Sequence, residues 1–308
     1  MDGAGMGLEA GSPVRVAAPA KINLALHVVG RRADGYHELD GLVSFAEAGD
    51  ELGLSVAAED SLTIVGAFAN GVPAGPGNLV LKALALGRRI ASRSDFVIPP
   101  LAIRLDKRLP VAAGIGGGSA DAAALLRAIA DAYPPLRASL GDAAIDLGAD
   151  VPMCLAGHTV RTRGIGERLD PVSMPALALV LVNPGVAVPT PEVFSAMTCR
   201  TNAPLLALPD DGFTEPADVV AYLRMCRNDL EAPASALFPS VRTAIDALRT
   251  QDPALVRMSG SGGTVFGIFS DMTTAERAAS NITSARPDWW VTATRTIVDR
   301  QGEPRHGH

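Results

Sequence analysis

The sequence feature that most restricts the fold is a run of small residues, Gly-Ile-Gly-Gly-Gly-Ser, at positions 114–119. Before it, residues 101–109 alternate between apolar and polar side chains, which predicts a β-strand that ends at Pro110. After it, residues 120–133 are rich in alanine and carry apolar side chains at helical spacing, which predicts an α-helix that stops at Pro134. The chain is therefore expected to form a strand, a glycine loop and a helix in succession.

The glycines of this loop disfavour folding, because glycine loses more backbone entropy on folding than any other residue. Without Cβ atoms, however, their backbone N–H groups can approach a ligand closely. The helix that follows adds the positive end of its dipole. The loop therefore indicates a binding site for phosphate groups. Taken alone, it is also compatible with a flexible hinge or a tight packing turn between strand and helix.

The length of 308 residues exceeds the usual size of one domain and favours two packed domains or one large α/β domain. The sequence changes character near Asp170, after which strands are interrupted by prolines and helices are short. We therefore expect an N-terminal domain of residues 1–170 and a C-terminal domain of residues 171–308.

Composition excludes several classes of protein. The net charge is −6 and the basic residues are dispersed, which argues against a nucleic-acid partner. No uncharged apolar run reaches the length of a membrane span, and residues 1–12 lack the features of a signal peptide, so we expect a cytoplasmic protein with a frayed polar tail at residues 301–308. The cysteines stand far apart and are expected to be buried free thiols; they are Cys154, Cys199 and Cys226.

Other elements follow from local patterns. Alternation between residues 14 and 28 predicts a strand with Lys21, Asn23 and His27 on one face. A helix is expected from residue 79 to residue 90 with Asn78 as its N-cap. Further strands are predicted at residues 41–45, 51–57 and 61–65, and a short helix at residues 140–147. Residues 149–152 should form an extended or tight-turn segment, because a residue before proline avoids the α region.

The glycine loop does not fit the common nucleotide-binding patterns. No Gly-Lys-Ser/Thr follows it, so the Walker pattern fails. The dinucleotide pattern fails because its third glycine would fall on Ser119. The His-Arg-Asp and Asp-Phe-Gly signatures of protein kinases are absent as well.

Residues 110–120, from Pro110 through Gly-Ile-Gly-Gly-Gly-Ser to Ala120, instead resemble the phosphate loop of the GHMP kinases, a superfamily named for galactokinase, homoserine, mevalonate and phosphomevalonate kinases. Other segments that match in the same order are Pro-Ala-Lys-Ile-Asn-Leu at 19–24, Arg-Ala-Asp-Gly-Tyr-His-Glu-Leu at 32–39, Leu-Gly-Ala-Asp-Val-Pro at 147–152, the stretch 184–194, and Arg-Met-Ser-Gly-Ser-Gly-Gly at 257–263. Together they resemble the branch that acts on a cytidine-diphosphate-linked methylerythritol. The resemblance covers residues 14–298.

This resemblance implies an α+β architecture, the GHMP kinase fold, with an N-terminal α/β domain that contains a left-handed βαβ crossover and a C-terminal ferredoxin-like domain. It also implies that ATP phosphorylates a hydroxyl of the cytidine-diphosphate-linked methylerythritol in non-mevalonate isoprenoid synthesis. Magnesium is expected with ATP, with phosphates and water as its ligands rather than a protein carboxylate. A monomer or a weak homodimer is expected.

By the same resemblance, Asp150 is the candidate base that receives the hydroxyl proton, and Lys21 lies beside it and polarises that hydroxyl. Without the resemblance, Asp150 could simply cap the next helix and Lys21 could be a surface lysine. Asp121 is predicted to lie in the first turn of the helix, where a carboxylate suits the dipole, so it needs no special role.

The remaining site residues bind the two substrates. The ATP-binding residues implied by the resemblance are Pro110, Val111, Ala112, Ala113, Gly114, Ile115, Gly116, Gly117, Gly118, Ser119 and Ala120 of the loop, with Asn78 and Lys107 near adenine and ribose. Those implied for the second substrate are Asn23, Tyr36, His37, Thr190, Pro191 and Phe194. Phe194 as ordinary core, Tyr36 and His37 as turn residues, and Lys107 as an exposed residue are the structural alternatives. The bend at residues 259–263 is expected to close the site.

Two rival interpretations stay open at this point. The first is another GHMP kinase, such as one for homoserine or mevalonate. The turn at residues 34–38 and the Pro-Thr-Pro segment at residues 189–191 speak against it. The second is a catalytically silent nucleotide-binding protein with the same fold, which Lys21 and Asp150 disfavour.

Overall fold

A computed structural model describes residues 13–298 of the chain. The expectations for residues 1–12 and for the tail at 301–308 lie outside these residues. Within the described part, no helix is long and apolar enough to cross a membrane.

The first half of the chain forms a six-stranded sheet. Its strands are β1 (Val14–Arg31), β2 (His37–Val56), β3 (Ser61–Val65), β4 (Leu101–Asp106), β5 (Val160–Gly164) and β6 (Arg168–Pro171). The order is β3-β4-β2-β5-β6, and β1 pairs along β2. Only β3 and β4 run parallel, and the helix α1 (Leu79–Ser92) lies between them in sequence, so a βαβ unit is present.

Strand β2 joins two segments that the sequence analysis treats as separate strands at residues 41–45 and 51–57. The polar break between them does not end the strand. It coincides with a register shift against β1 between Pro19 and Ala20, where Pro19 pairs with Gly49. A bulge absorbs such an irregularity without ending the pairing, which explains why the separation into two strands is wrong.

The helices of this half largely follow their local signals. Asn78 caps α1 as expected, since its side chain accepts a hydrogen bond from the Val80 N–H. The helices that follow are α2 (Gly117–Ala132), α3 (Arg137–Ala143) and α4 (Val151–Ala156), with short 3₁₀ segments at Ala69–Gly71, Pro134–Leu136 and Ala144–Leu147.

The start of α4 differs from the extended alternative. The Val151 N–H donates to the Gly148 carbonyl, which closes a tight turn, and the helix begins directly at Val151. Pro152 is tolerated there because the N–H groups of a first helical turn have no intrahelical partner.

The second half of the chain forms a four-stranded antiparallel sheet in the order β10-β7-β9-β8. Its elements are β7 (Ala178–Asn183), α5 (Thr190–Ser195), α6 (Pro216–Met225), α7 (Glu231–Leu237), α8 (Pro239–Arg249), β8 (Leu255–Met258), β9 (Val265–Phe269), α9 (Met272–Ala285) and β10 (Trp290–Arg295). This strand order, with helices after the first and third strands, is the expected ferredoxin-like arrangement.

The change from one sheet to the other occurs between Pro171 and Ala178. The two halves nevertheless share one hydrophobic core, in which Ile22 and Leu24 of β1 pack with Phe266 and Ile268 of β9. The division at residue 170 therefore stays a prediction about the domains, although the sheets change there.

Arg257 of β8 ties the halves together. Its buried guanidinium donates to the carbonyl oxygens of Leu24 at 2.7 Å, and of Leu223 and Cys226 at 2.8 Å. Burial lowers the pKa of Arg257. These bonds link β1 to the C-terminal half.

The cysteines are free, and Cys154 and Cys226 are buried, but Cys199 is exposed. The expectation of three buried thiols is therefore wrong for Cys199, which lies in the loop after α5. Burial raises the pKa of the Cys154 thiol to about 12, so this thiol is not a reactive nucleophile.

Candidate active site

The glycine loop is held between the two halves of the chain. Its Ile115 carbonyl accepts from the Lys21 N–H of β1 at 2.9 Å, and its Ala113 carbonyl accepts from the Thr264 N–H at 3.0 Å. Ser259 joins both sides, since its hydroxyl donates to the Gly114 carbonyl at 3.2 Å and accepts from the Asn23 N–H at 3.0 Å. The bend at residues 259–263 therefore packs on the loop.

The loop leads into the N-terminus of α2. Gly114 and Gly116 adopt positive φ values of 73° and 67°, which favour glycine, and Gly116 is the N-cap residue without a side-chain cap. The first N–H groups of α2, at Gly117 to Ser119, thus lie where a helix has no internal acceptor for them. This geometry suits an anion.

A cavity of about 700 Å³ opens beside the loop and takes its walls from both halves. The sequence-predicted site residues that line it are Lys21, Asn23, Asn78, Lys107, Asp150, Thr190, Pro191, Phe194 and the loop residues 110–114 and 116–119. Ile115 and Ala120 of the predicted loop are buried in the cores instead. The structure thus brings most of these residues to one place.

Lys21 and Asp150 meet across 129 positions of sequence. The Lys21 ammonium donates to Asp150 Oδ2 at 2.7 Å. Lys21 is 7% exposed, whereas the Asp150 side chain is 41% exposed and thus open to the cavity. Although Asp150 is the N-cap residue of α4, its side chain makes no capping bond. The carboxylate is therefore directed at Lys21 rather than at the helix.

Asn23 lines the same cavity and carries a free acceptor. Its Oδ1 is buried and has no hydrogen-bond partner among the described residues. On the C-terminal side, the hydroxyls of Thr190 and Ser261 lie 2.7 Å apart and also line the cavity. Ser261 belongs to the bend expected to close the site, but it is not among the binding residues predicted from the sequence.

Lys107 is not an exposed residue. Its ammonium is buried, donates to Asp121 Oδ2 at 2.7 Å and also contacts Asp50 Oδ2. Asp50 is fixed in turn by the N–H groups of Arg108 and Leu109, which donate to its Oδ1. Desolvation lowers the pKa of Lys107, but its two carboxylate partners outweigh it and the pKa is raised.

Asp121 is wrongly placed by the sequence analysis, because it is the fifth residue of α2 and lies beyond the first turn. It is 2% exposed, and its Oδ1 has no partner within residues 13–298. Burial raises the pKa of Asp121 to about 7, against the opposing charge of Lys107. Sequence reasoning assigned no functional role to Asp50 or Asp121. Asp121 lies four residues before Leu125 and therefore on the same, buried face of α2, and this spacing was the available signal that its carboxylate is buried.

Asn78 uses its side chain locally. Its Oδ1 caps α1, and its Nδ2 donates to the Pro73 carbonyl at 2.8 Å. Both groups of the amide are therefore engaged before any nucleotide arrives.

The residues expected to hold a pyrimidine divide into two sets. The rings of His37 and Phe194 stack at 4.6 Å between centroids with an interplanar angle of 23°, and Phe194 reaches the cavity. Tyr36 is 62% exposed and does not line the cavity. Burial lowers the pKa of His37, and the charges of Arg31 and Arg200 lower it further.

Comparison with known proteins agrees with this geometry. The family described as GHMP kinases N terminal domain matches residues 78–158, and that described as GHMP kinases C terminal matches residues 220–288.

Proteins similar over nearly their whole length include two bacterial kinases of the same name. A 4-diphosphocytidyl-2-C-methyl-D-erythritol kinase of Rhizobium meliloti is 50% identical over 291 residues, which are 93% of this chain and 96% of that protein. One of Dinoroseobacter shibae is 50% identical over 286 residues, or 92% and 94% of the two chains.

Solved structures also match. A crystal structure of 4-(cytidine 5'-diphospho)-2C-methyl-D-erythritol kinase superposes with a TM-score of 0.74 at 34% identity, covering 93% of this chain and all of that one. A homoserine kinase from Cytophaga hutchinsonii, at 18% identity and a TM-score of 0.65 over 96% of this chain and 98% of that one, shares the fold. By its sequence identity over nearly the whole length, this chain belongs to the 4-diphosphocytidyl-2-C-methyl-D-erythritol kinase family of the GHMP kinases.

Proposed function

We propose that the chain transfers the γ-phosphoryl group of ATP to the 2-hydroxyl of 4-diphosphocytidyl-2-C-methyl-D-erythritol. The observation that carries the proposal is the Lys21–Asp150 pair, which opens to a cavity whose other wall is the phosphate loop. The family's name supplies the substrate, and the non-mevalonate isoprenoid pathway is the context that the substrate implies.

The phosphate loop binds and orients ATP. The N–H groups at the start of α2 and the backbone N–H groups of residues 111–116 donate to the phosphates, and the positive end of the helix dipole compensates part of their charge. Asn78 and Lys107 shape the wall near the nucleoside.

The reaction needs alignment and a place for one proton. The oxygen of the substrate hydroxyl attacks the γ-phosphorus while the bond from that phosphorus to the bridging oxygen of ADP breaks. Asp150 accepts the hydroxyl proton, and Lys21 holds the carboxylate in place and polarises the hydroxyl. Asn23, Thr190 and Pro191 line the path of the methylerythritol, and Phe194, His37 and Tyr36 surround the cytosine.

Magnesium would neutralise charge on the transferred phosphates. Among the described residues there is no group of three or more His, Cys, Asp or Glu side chains that could cage a metal ion. The ATP phosphates and water would supply most of the ligands of such a metal ion.

The proposal is tested with purified protein, ATP and a panel of three acceptors: the cytidine-diphosphate methylerythritol, homoserine and mevalonate. ADP formation is measured. We expect turnover with the first acceptor only. Preference for another acceptor would assign a different GHMP kinase, and ATP binding without turnover on any of them would indicate a silent nucleotide-binding protein.

Variants test the two catalytic assignments. Lys21→Ala and Asp150→Asn should each lower turnover by roughly 100- to 10,000-fold, the usual contribution of acid–base assistance. Lys82→Ala and Asp210→Asn are matched controls at exposed positions and should keep the wild-type rate. Near-wild-type turnover of either site variant would overturn its role.

A further inference from the structure

The side chains that line the cavity offer little uncompensated positive charge. Among the described lining residues, the cations are Lys21 and Lys107. Lys21 is paired with Asp150, and Lys107 is paired with Asp50 and Asp121. The proposed second substrate carries a diphosphate of its own, which needs a cation or a set of N–H donors beyond those that hold ATP.

Two arginines that do not line the cavity themselves, Arg31 and Arg200, lie close to His37 and Phe194 and are free of carboxylates among the described residues. No ion pair links Arg31 or Arg200 to an acidic side chain anywhere in residues 13–298. Arg31 Nε donates to the Gly35 carbonyl at 3.3 Å, and Arg200 Nη2 donates to the Ser195 carbonyl at 3.4 Å. Both hydrogen bonds are long and go to backbone oxygens, so both guanidinium charges stay uncompensated.

Both arginines act on the same imidazole. The charges of Arg31 and Arg200 each lower the pKa of His37, after burial, which is the largest cause. The imidazole is therefore mainly neutral at neutral pH, so the positive charge at this place belongs to the guanidinium groups. Arg31 also pairs with His37 in the β1–β2 register, and Arg200 is bonded to the last residue of α5, one position after Phe194.

The region behind Phe194 also holds unused hydrogen-bonding atoms. Arg200 Nε and His37 Nε2 are both buried, and neither has a hydrogen-bond partner among the described residues. His37 stacks on Phe194, which lines the cavity. A nucleotide suits this combination of features. The aromatic face and the free His37 nitrogen can bind its base, and the two uncompensated guanidinium groups, one with a free Nε–H, can bind its phosphates.

We infer that Arg200, assisted by Arg31, binds the diphosphate of the cytidine nucleotide and thereby selects a nucleotide-linked substrate over an unphosphorylated one. This inference rests on the proposed function. A guanidinium presents several N–H donors in one plane and matches phosphate oxygens better than an ammonium does. The buried, unpartnered Nε–H of Arg200 is such a donor. Arg31, which pairs with His37 in the β1–β2 register, adds a second positive charge nearby.

The experiment compares ligands that differ only in their phosphates. Binding of cytidine, CMP and CDP to the wild type, Arg200→Gln and Arg31→Gln is measured by titration calorimetry. Arg242→Gln, at an exposed position on α8, is the matched control. For the wild type, we expect CDP to bind on the order of ten-fold more tightly than cytidine, as a charge-assisted hydrogen bond predicts.

In Arg200→Gln this preference should largely disappear, because CDP affinity falls while cytidine affinity stays within about two-fold of the wild type. Arg31→Gln should lose a smaller part of it, and Arg242→Gln none. Equal losses of affinity for cytidine and CDP would show that Arg200 contacts the base or supports α5. An unchanged ratio of CDP to cytidine affinity would show that Arg200 contacts neither phosphate. Either result overturns the inference.

A conservative variant separates charge from structure. Arg200→Lys keeps the charge without the planar donors and should retain part of the CDP preference. In the kinase assay, Arg200→Gln should raise the KM for the cytidine substrate and leave the KM for ATP unchanged. A wild type that prefers CDP over cytidine but turns over no cytidine substrate would refute the proposed function alone, because ligand binding does not depend on turnover.

Discussion

Gly114 is the position where the phosphate loop is most sensitive to one added methyl group. Its φ of 73° lies in the left-handed region that side chains disfavour. A Cβ atom there would overlap the carbonyl oxygen of Gly262 and lie 2.7 Å from that of Ser259. Both atoms are backbone of the bend at residues 259–263, so neither can rotate aside. Gly114→Ala must therefore displace the loop or the bend.

The structure gives a magnitude for this substitution. The left-handed conformation costs a non-glycine residue about 1–2 kcal/mol. Insertion of a carbon atom into a tightly packed interface adds about 1–3 kcal/mol. The sum is about 2–5 kcal/mol, which is large beside the roughly 5–15 kcal/mol that stabilise a typical native fold. Displacement would also break the bonds from Ser259 to Gly114 and from Thr264 to Ala113.

Gly118→Ala is the matched control in the same loop. Gly118 is the second residue of α2 and has no positive φ. Its Cβ atom would lie 3.5 Å from Leu79 Cδ1, which is an ordinary contact. We expect this variant to be neutral or more stable by about 0.5–1 kcal/mol, since alanine favours a helix over glycine.

The assay is urea-induced unfolding of the two variants and the wild type, followed by circular dichroism. Gly114→Ala should lower the unfolding midpoint strongly without a matching loss in Gly118→Ala. A change of less than about 0.5 kcal/mol in Gly114→Ala, within the usual scatter for neutral surface substitutions, would refute the packing of loop against bend. Equal losses in both variants would refute the argument from φ.

Three further substitutions have defined outcomes. Phe194→Ala removes the ring that stacks on His37 and should raise the KM for the cytidine substrate by about ten-fold or more, with the KM for ATP unchanged. An unaltered KM for the cytidine substrate would contradict the stacking role. The pKa of Asp121 is raised from an ordinary 3.8 to about 7 in the fold, so the native state binds the Asp121 proton more tightly than the unfolded chain, and the stabilisation from this proton is lost as pH rises from about 4 to 7. Asp121→Asn should remove this pH dependence of the free energy of unfolding, measured in urea. Parallel pH profiles for the variant and the wild type would disprove the role of Asp121. Arg257→Leu removes the guanidinium donor from three carbonyl oxygens, of which that of Leu223 also accepts from the Cys226 N–H, and should lower the free energy of unfolding by about 3 kcal/mol or more; a thermal midpoint equal to the wild type's would show that the carbonyls of Leu24 and Cys226 find other donors.

The elements that sequence predicts well are those with local causes. The glycine loop, the helix after it and the Asn78 cap each depend on residues a few positions apart, and the structure has all three. The start of α4 shows the limit of this approach. The rule that a residue before proline avoids the α region is a preference, and the first turn of a helix is where proline costs least.

The charged cluster below the loop could not be derived in the same way. Asp50 and Lys107 are 57 positions apart, and their contact depends on how β2 and the end of β4 lie against α2. Asp121 could have been identified as buried from its place on the apolar face of α2. No local pattern says that a lysine from another element would meet it there.

The candidate active site as a whole could not be derived from local patterns either. Its residues come from β1, the glycine loop, the start of α4, α5 and the bend at residues 259–263, so no single segment contains it. A loop with four glycines has little conformational preference of its own, and the contacts that fix it come from β1 and from the C-terminal half. Because Ser259 holds both Asn23 and Gly114, the two substrate sites share a support. A disturbance of this bend should therefore weaken ATP and acceptor binding together, whereas changes at His37, Phe194 or Arg200 should affect the acceptor alone.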